Sequence, residues 1–189
     1  DSYAYLCSQQ GYGEMLGTRN SMNSRSTGTT LSTFSGLYEA YSATDVRRGF
    51  VALADRNSLG GETNVPIPTK YMNISTYMEN IKVIRLAEMY LIRAEANQRK
   101  NTSVGATPLE DITTLRDRSG ASALSSVDLD EILMERRREL SFEGFALFDA
   151  KRLGRSVGSI PSNSSRLVMP IPLRELDANP NLVQNEGYN

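Results

Sequence analysis

ILMERRRELSFEGFALFDAKR, residues 132–152, is composed of helix formers, yet it sets ionised side chains where an apolar stripe is expected. At about 100° per residue, one arc of roughly 100° gathers Leu129, Ile132, Leu133, Arg136, Leu140, Glu143 and Leu147. An arginine and a glutamate thus share a face with core leucines. Charge on a buried face needs a partner, because removing one member of a buried ion pair costs about 3–5 kcal/mol even where the pair itself contributes little. Glu88 and Glu95 fall inside an apolar stripe of an upstream segment, so the economical reading is a structural ion-pair network of Glu88, Glu95, Arg136, Glu139 and Glu143 that fixes register between helices. The sharper alternative is acid–base catalysis by Glu139 and Glu143, one helical turn apart. Arg136 and Arg138 beside them favour neutralisation, and no accompanying motif supplies a substrate pocket.

Working outward, ENIKVIRLAEMYLIRAEANQRKN (79–101) predicts a helix of some twenty residues beginning near residue 80. Ile81, Ile84, Leu91 and Ile92 form one stripe and Val83, Leu86, Tyr90 and Ala94 another, so the helix is expected to pack on two sides. TPLEDITTLRDRSG (107–120) predicts a second helix, with Thr107 as N-cap, Pro108 at N1, Glu110 completing a capping box and Gly120 as stop. The NTSVGA loop joins the two into a helical hairpin. A third helix starts near Asp128, where Asp128 and Glu131 have cap spacing, and runs through the opening stretch until Gly154 and the Ser/Asn-rich SVGSIPSNSS (156–165) end it. Turns and extended chain follow in VMPIPLRELDANPNLVQNEGYN (168–189).

Residues 1–35 are rich in Ser, Thr, Asn and Gly, most of all in NSMNSRSTGTTLST, a composition that favours loop. FSGLYEAYSA (34–43) predicts a short helix presenting Leu37 and Tyr41 on one side. RRGFVALADR alternates in the manner of a strand or hairpin arm near 48–54, NSLGGE is turn chemistry, and the prolines of VPIPTKYMN keep it extended. The expected organisation is therefore an irregular, loop-rich segment over 1–79 and a helical scaffold over 80–189, together a single domain.

A hydrophobic content of 39% over 189 residues suffices for one core. The net charge of −1 gives no long-range pull toward nucleic acid or anionic lipid, and the basic run ERRREL is balanced by its own glutamates. Histidine is absent, which removes the commonest general base, the Ser-His-Asp arrangement and most zinc sites. No catalytic residue, metal or cofactor is expected. Cys7, the sole cysteine, reads as a small apolar residue. No apolar run reaches the ~18 residues of a membrane span, and DSYAYLCSQQ has no basic start or apolar core of a signal peptide. The lack of an initiator methionine suggests a piece of a longer protein.

Four ordered motifs resemble the SusD/RagB group of outer-membrane nutrient-binding lipoproteins from Bacteroidetes: IRLAEMYLIRAEA (84–96), LRDRSG (115–120), ILMERRRELSFEGFALFDAKRLG (132–154) and PIPLRELDANPNLVQNEGY (170–188). LYEAYSATDVRRG (37–49) and TKY (69–71) are weaker echoes. The resemblance implies a mainly α fold, a tetratricopeptide-like α-α superhelical scaffold with irregular loops and room for a short β-hairpin. It also implies capture of oligosaccharide or another nutrient at the extracellular face of the outer membrane without enzymatic activity. The implied partner is a SusC-like TonB-dependent transporter, and the implied membrane contact is an N-terminal lipid upstream of this chain, for which Cys7 lacks the signal sequence. FALFDAKR departs from relatives that carry a tryptophan and an arginine before Phe-Asp, so Phe145 and Leu147 are expected to pack.

The matched motifs are scaffold signatures and transfer no binding residue. Sugar rings stack on aromatic faces while their hydroxyls take planar donors and acceptors. With no Trp in the chain, Tyr3, Tyr5 and Tyr12, beside Arg19 and Asn20, become the candidate ligand contacts; packing of these rings on the helices is the plainer alternative. A competing function is a helical-repeat protein-interaction module that binds no saccharide.

Overall fold

The computed structural model describes residues 37–56, 62–68, 70, 82–157 and 160–188. In chain order the elements are α1 (Leu37–Ala40), a 3-10 turn (Val46–Phe50), β1 (Val51–Arg56), β2 (Glu62–Pro68), α2 (Leu86–Lys100), α3 (Pro108–Ser119), α4 (Leu129–Glu139), α5 (Phe145–Arg152), a 3-10 turn (Ser165–Leu167) and α6 (Leu173–Ala178). The chain divides after Glu143 into two compact units. The first unit holds the hairpin together with α2, α3 and α4.

The caps form as their local chemistry dictates. Thr107 accepts from the Glu110 backbone N–H at 3.2 Å while the Glu110 carboxylate accepts from the Thr107 N–H at 2.7 Å, and Gly120 closes α3 in the left-handed region at φ 65°. Asp128 Oδ1 accepts from the Glu131 N–H at 2.8 Å to start α4. Between α2 and α3, the Asn97 amide donates to Val104 O at 3.1 Å and Ala106 O at 2.9 Å and accepts from the Thr102 hydroxyl at 2.8 Å. One buried side chain thereby supplies hydrogen bonds the loop backbone cannot make with itself.

Leu91 and Ala94 of α2, Ile112 and Leu115 of α3, and Ile132 and Leu133 of α4 form the core of the first unit. Each fully buried Leu or Ile contributes about 1.5–3 kcal/mol of transfer free energy. Leu37, Tyr41 and Val51 make a second cluster, against which Tyr38 and Phe142 pack. β1 and β2 pair antiparallel from Val51↔Pro68 to Arg56↔Glu62, with the register shifting between Ala54 and Arg56. Pro66 and Pro68 are compatible with this pairing because each strand of a two-stranded sheet has an unpaired edge.

Three expectations need correction. First, the helix expected from residue 80 begins at Leu86, and Arg85 is extended at its N-cap with φ −131° and ψ 148°. Second, α2 is covered on one side only: Ala87, Leu91 and Ala94 are buried, whereas Ile84 is 75% exposed, Leu86 69% and Ile92 48%. Apolar spacing shows that a face wants cover, not what covers it. Third, residues 132–152 are not one helix. α4 stops at Glu139, Phe142 takes φ 62° and Gly144 φ 87°, and α5 begins at Phe145. The turn seats the Phe142 ring on the Leu37–Tyr41–Val51 cluster and lets the Tyr41 hydroxyl reach Arg138 O at 2.9 Å and Ser141 Oγ at 3.2 Å. Neither Leu147 nor Phe145 is buried.

In the second unit, Val157 and Ile160 form an antiparallel bridge and Ser164 caps the 3-10 turn through the Arg166 N–H at 3.3 Å. The Gln184 amide clamps Ile171 in both directions, accepting from its N–H at 2.8 Å and donating to its carbonyl at 2.9 Å. Sequence alone suggests turns here; α6 is the additional element.

Candidate functional site

Glu131, Glu135, Glu139 and Glu143 recur every fourth residue, so they descend one flank of α4 and continue past its end. Among the described residues, six cations face this ladder. At its N-terminal end Arg138 pairs with Glu131 at 2.7 Å and with Glu135 at 3.0 Å, and Arg116 of α3 reaches Glu135 at 2.9 Å. In the middle Arg47 meets Glu135 at 2.7 Å and Glu139 at 2.9 Å, while Asp45 grips the same guanidinium through Nε at 2.9 Å and Nη2 at 2.8 Å. Arg118 adds a contact to Glu139 at 2.7 Å. At the far end Arg85 bridges Glu139 at 2.6 Å and Glu143 at 2.8 Å, and Lys70 pairs with Glu143 at 2.5 Å.

Arg47 precedes β1 and Lys70 follows β2, so both feet of the hairpin are fastened to carboxylates of the same ladder. Glu135, Glu139, Asp45 and Arg47 are buried, where attraction is strong and an unpaired charge is most expensive. Burial pushes the Glu139 carboxyl up, but hydrogen bonds from Arg118, Arg85 and Arg47 outweigh it and hold the group at about 2. Burial likewise opposes the charge of Arg47, and Asp45, Glu135 and Glu139 overcome it, leaving its pKa raised. Lys70 is pulled down by burial, which Glu143 offsets only in part.

The arrangement bears on the acid–base alternative. A general acid needs a carboxyl that holds a proton near the working pH. Glu139 sits far below that range, and both its oxygens already accept from guanidinium groups. Glu143 accepts from Lys70 and Arg85. The pair is built to bind cations of its own chain.

Among the residues singled out from sequence, Arg136 is buried with its Nη2 3.6 Å from Glu88, and Glu95 pairs with Arg99 of its own helix at 2.8 Å. Glu139 and Glu143 stand in the ladder. Sequence alone points to Arg138 beside Glu139 and Glu143 and to Glu131 as a cap residue, but not to Glu135 or to the cations Arg47, Lys70, Arg85, Arg116 and Arg118, whose positions share no local pattern. Tyr3, Tyr5, Tyr12, Arg19, Asn20 and Cys7 lie outside the described residues.

The sequence profile of the SusD family matches residues 38–158. The starch-binding protein SusD of Bacteroides thetaiotaomicron is 31% identical over 134 residues, covering 63% of this chain and 24% of that protein. A SusD-like protein of Formosa agariphila is 28% identical over 160 residues, covering 70% of this chain and 30% of that protein. The chain thus matches between about a quarter and a third of the length of these curated relatives. Among solved structures, a SusD-like carbohydrate-binding protein of Bacteroides vulgatus superposes with a TM-score of 0.53 at 27% identity, covering 64% of this chain and 27% of that one. The surface glycan-binding protein A of Bacteroides uniformis gives 0.58 at 23% identity over 78% of this chain and 39% of that one, a likeness of fold. The shared architecture is mainly helical and tetratricopeptide-like.

Proposed function

Since the chain belongs to the SusD family, we propose that it is part of a cell-surface glycan-binding subunit that delivers oligosaccharides to a SusC-like TonB-dependent transporter. In this reading the protein works at the extracellular face of the outer membrane, held there by a lipid on an upstream segment, and binds its ligand without chemical conversion. The observation that carries the reading is the match over residues 38–158 together with the similarity to a starch-binding relative. The ionic ladder supports a binding role over a hydrolytic one, because its carboxylates are consumed by arginine and lysine. No helix among the described residues is long and apolar enough to cross a membrane.

Electrophoresis of the chain through gels containing starch and other neutral polysaccharides tests the reading. Retardation by at least one glycan, with no new reducing ends after prolonged incubation, is the expected result. A second reading, a helical protein-interaction module, draws support from the apolar face of α2, where Leu86, Met89 and Ile92 stand exposed. Normal mobility in every glycan, together with capture of the transporter through that face, would replace the first reading with the second.

A further inference from the structure

The Ser/Asn-rich stretch that follows α5 takes no part in the ladder. Ser162, Asn163, Ser164 and Ser165 instead form one wall of an open depression of about 520 Å³ in the second unit, within the roughly 300–1,000 Å³ range of small-molecule sites. Lys151 of α5, Glu186 of the C-terminal segment and the apolar Leu167 and Val168 complete its lining.

The walls are held in place before any ligand arrives. The Tyr188 hydroxyl donates to Arg166 O at 3.1 Å and the Asn185 amide to Met169 O at 2.6 Å, which fixes the chain on both sides of Glu186. Gly187 adopts φ 89°, and a Cβ there would stand 2.8 Å from Ser165 Oγ, so only glycine lets the C-terminal segment lie this close to the serine wall. Lys151 donates to Leu167 O at 3.3 Å, and its ammonium has two further protons to offer. Among the described residues no hydrogen bond engages the side chains of Ser162, Asn163 or Glu186, so hydroxyl, amide and carboxylate keep capacity for a ligand.

We propose that this depression is a contact site for a neutral oligosaccharide, an inference that rests on the glycan-binding reading above. Hydroxyls, a planar amide, one cation and one anion match the alternating donors and acceptors of a sugar ring, and the aliphatic side chains of Leu167 and Val168 suit its C–H face. Lys151 and Glu186 balance each other, which disfavours an anionic ligand. The open form admits a chain that runs past the site at both ends. No aromatic ring among the described residues lines it, so its contribution is an auxiliary one; the fixed walls limit the ordering cost.

The test is calorimetric titration of the full chain with a panel of neutral oligosaccharides, beginning with maltoheptaose, and with an oligouronide of similar length. Asn163→Ala and Glu186→Gln should each weaken the best neutral ligand about 2- to 10-fold, the scale of one or two lost hydrogen bonds. Glu186→Gln should also raise relative affinity for the oligouronide, because Lys151 is then uncompensated; an effect on folding alone would not produce that reversal. Unchanged denaturation midpoints verify that the variants fold. If the parent binds and both variants match it, the site is refuted while the glycan reading stands. A parent that binds no member of the panel removes the reading and the site together.

Discussion

Replacing Arg47 by methionine tests whether the ladder holds the first unit together. Arg47 is 3% exposed and contacts Asp45, Glu135 and Glu139. The cost is not three times that of one pair, because Glu135 keeps Arg116 and Arg138 and Glu139 keeps Arg85 and Arg118. Asp45 is different: among the described residues its carboxylate accepts, besides the guanidinium, only from the Arg47 backbone N–H at 2.9 Å. One buried carboxylate is left nearly bare, for which about 3–5 kcal/mol is the appropriate scale. That is a large part of the roughly 5–15 kcal/mol by which domains are stable, and it corresponds to a melting temperature lower by about 6–20 °C for a chain of this size. Arg137→Ala, at an exposed position of the same helix, serves as control and should stay within about 0.5 kcal/mol of the parent. Urea denaturation followed by circular dichroism measures both. Adding Asp45→Asn to Arg47→Met should restore part of the loss by removing the stranded charge. If Arg47→Met unfolds at the same urea concentration as Arg137→Ala, the clasp is not what stabilises this unit.

Acid should weaken the same network. Glu139 takes up its proton near 2 when folded against an ordinary 4.5, so as pH falls the unfolded chain is protonated first; the stabilisation, on the order of 3 kcal/mol, is whole above about pH 4.5 and lost toward pH 2. The stability gap between parent and Glu139→Gln should therefore be widest at neutral pH and narrow below about pH 4; a gap of constant size would contradict the assignment. Gly105→Ala should destabilise by about 1–2 kcal/mol, since φ is 77° there and a Cβ would meet Arg93 Nη1 at 2.9 Å; an unchanged thermal midpoint would show that the loop yields freely. Thr107→Ala should cost about 1 kcal/mol through loss of the α3 cap, and equal midpoints for parent and variant would count against that cap.

Legibility in the sequence followed the range of the interaction. Thr107, Pro108, Glu110, Gly120 and Asp128 announce their roles because a cap is satisfied within four residues. The halt of α4 at Glu139 is hidden, because Leu140, Ser141 and Phe142 are turned by a cluster whose other members, Leu37, Tyr41 and Val51, lie far upstream. Local propensity carries no trace of that pull, and Gly144 alone hints at it. Arg136 meets Glu88 from within α4, whereas Arg47, in the 3-10 turn before β1, and Arg85, at the N-cap of α2, hold the inner positions of the ladder from outside any α-helix. Long-range ionic partners obey no spacing rule; the glutamates, four residues apart along α4 and the turn after it, do.

The ladder also orders events in time. Arg47 and Glu139 are 92 residues apart, and a ribosome working at about 5–20 residues per second delivers the second roughly 5–20 s after the first. Once residue 85 has been added, the cations at 47, 70 and 85 are all made while the α4 carboxylates are not, so the feet of the hairpin lack the glutamates that fasten them. α2 and α3, neighbours in the chain, are free to pair early, and the clasp closes last around them. A nascent chain arrested before α4 holds its arginines in water, with the hairpin undocked.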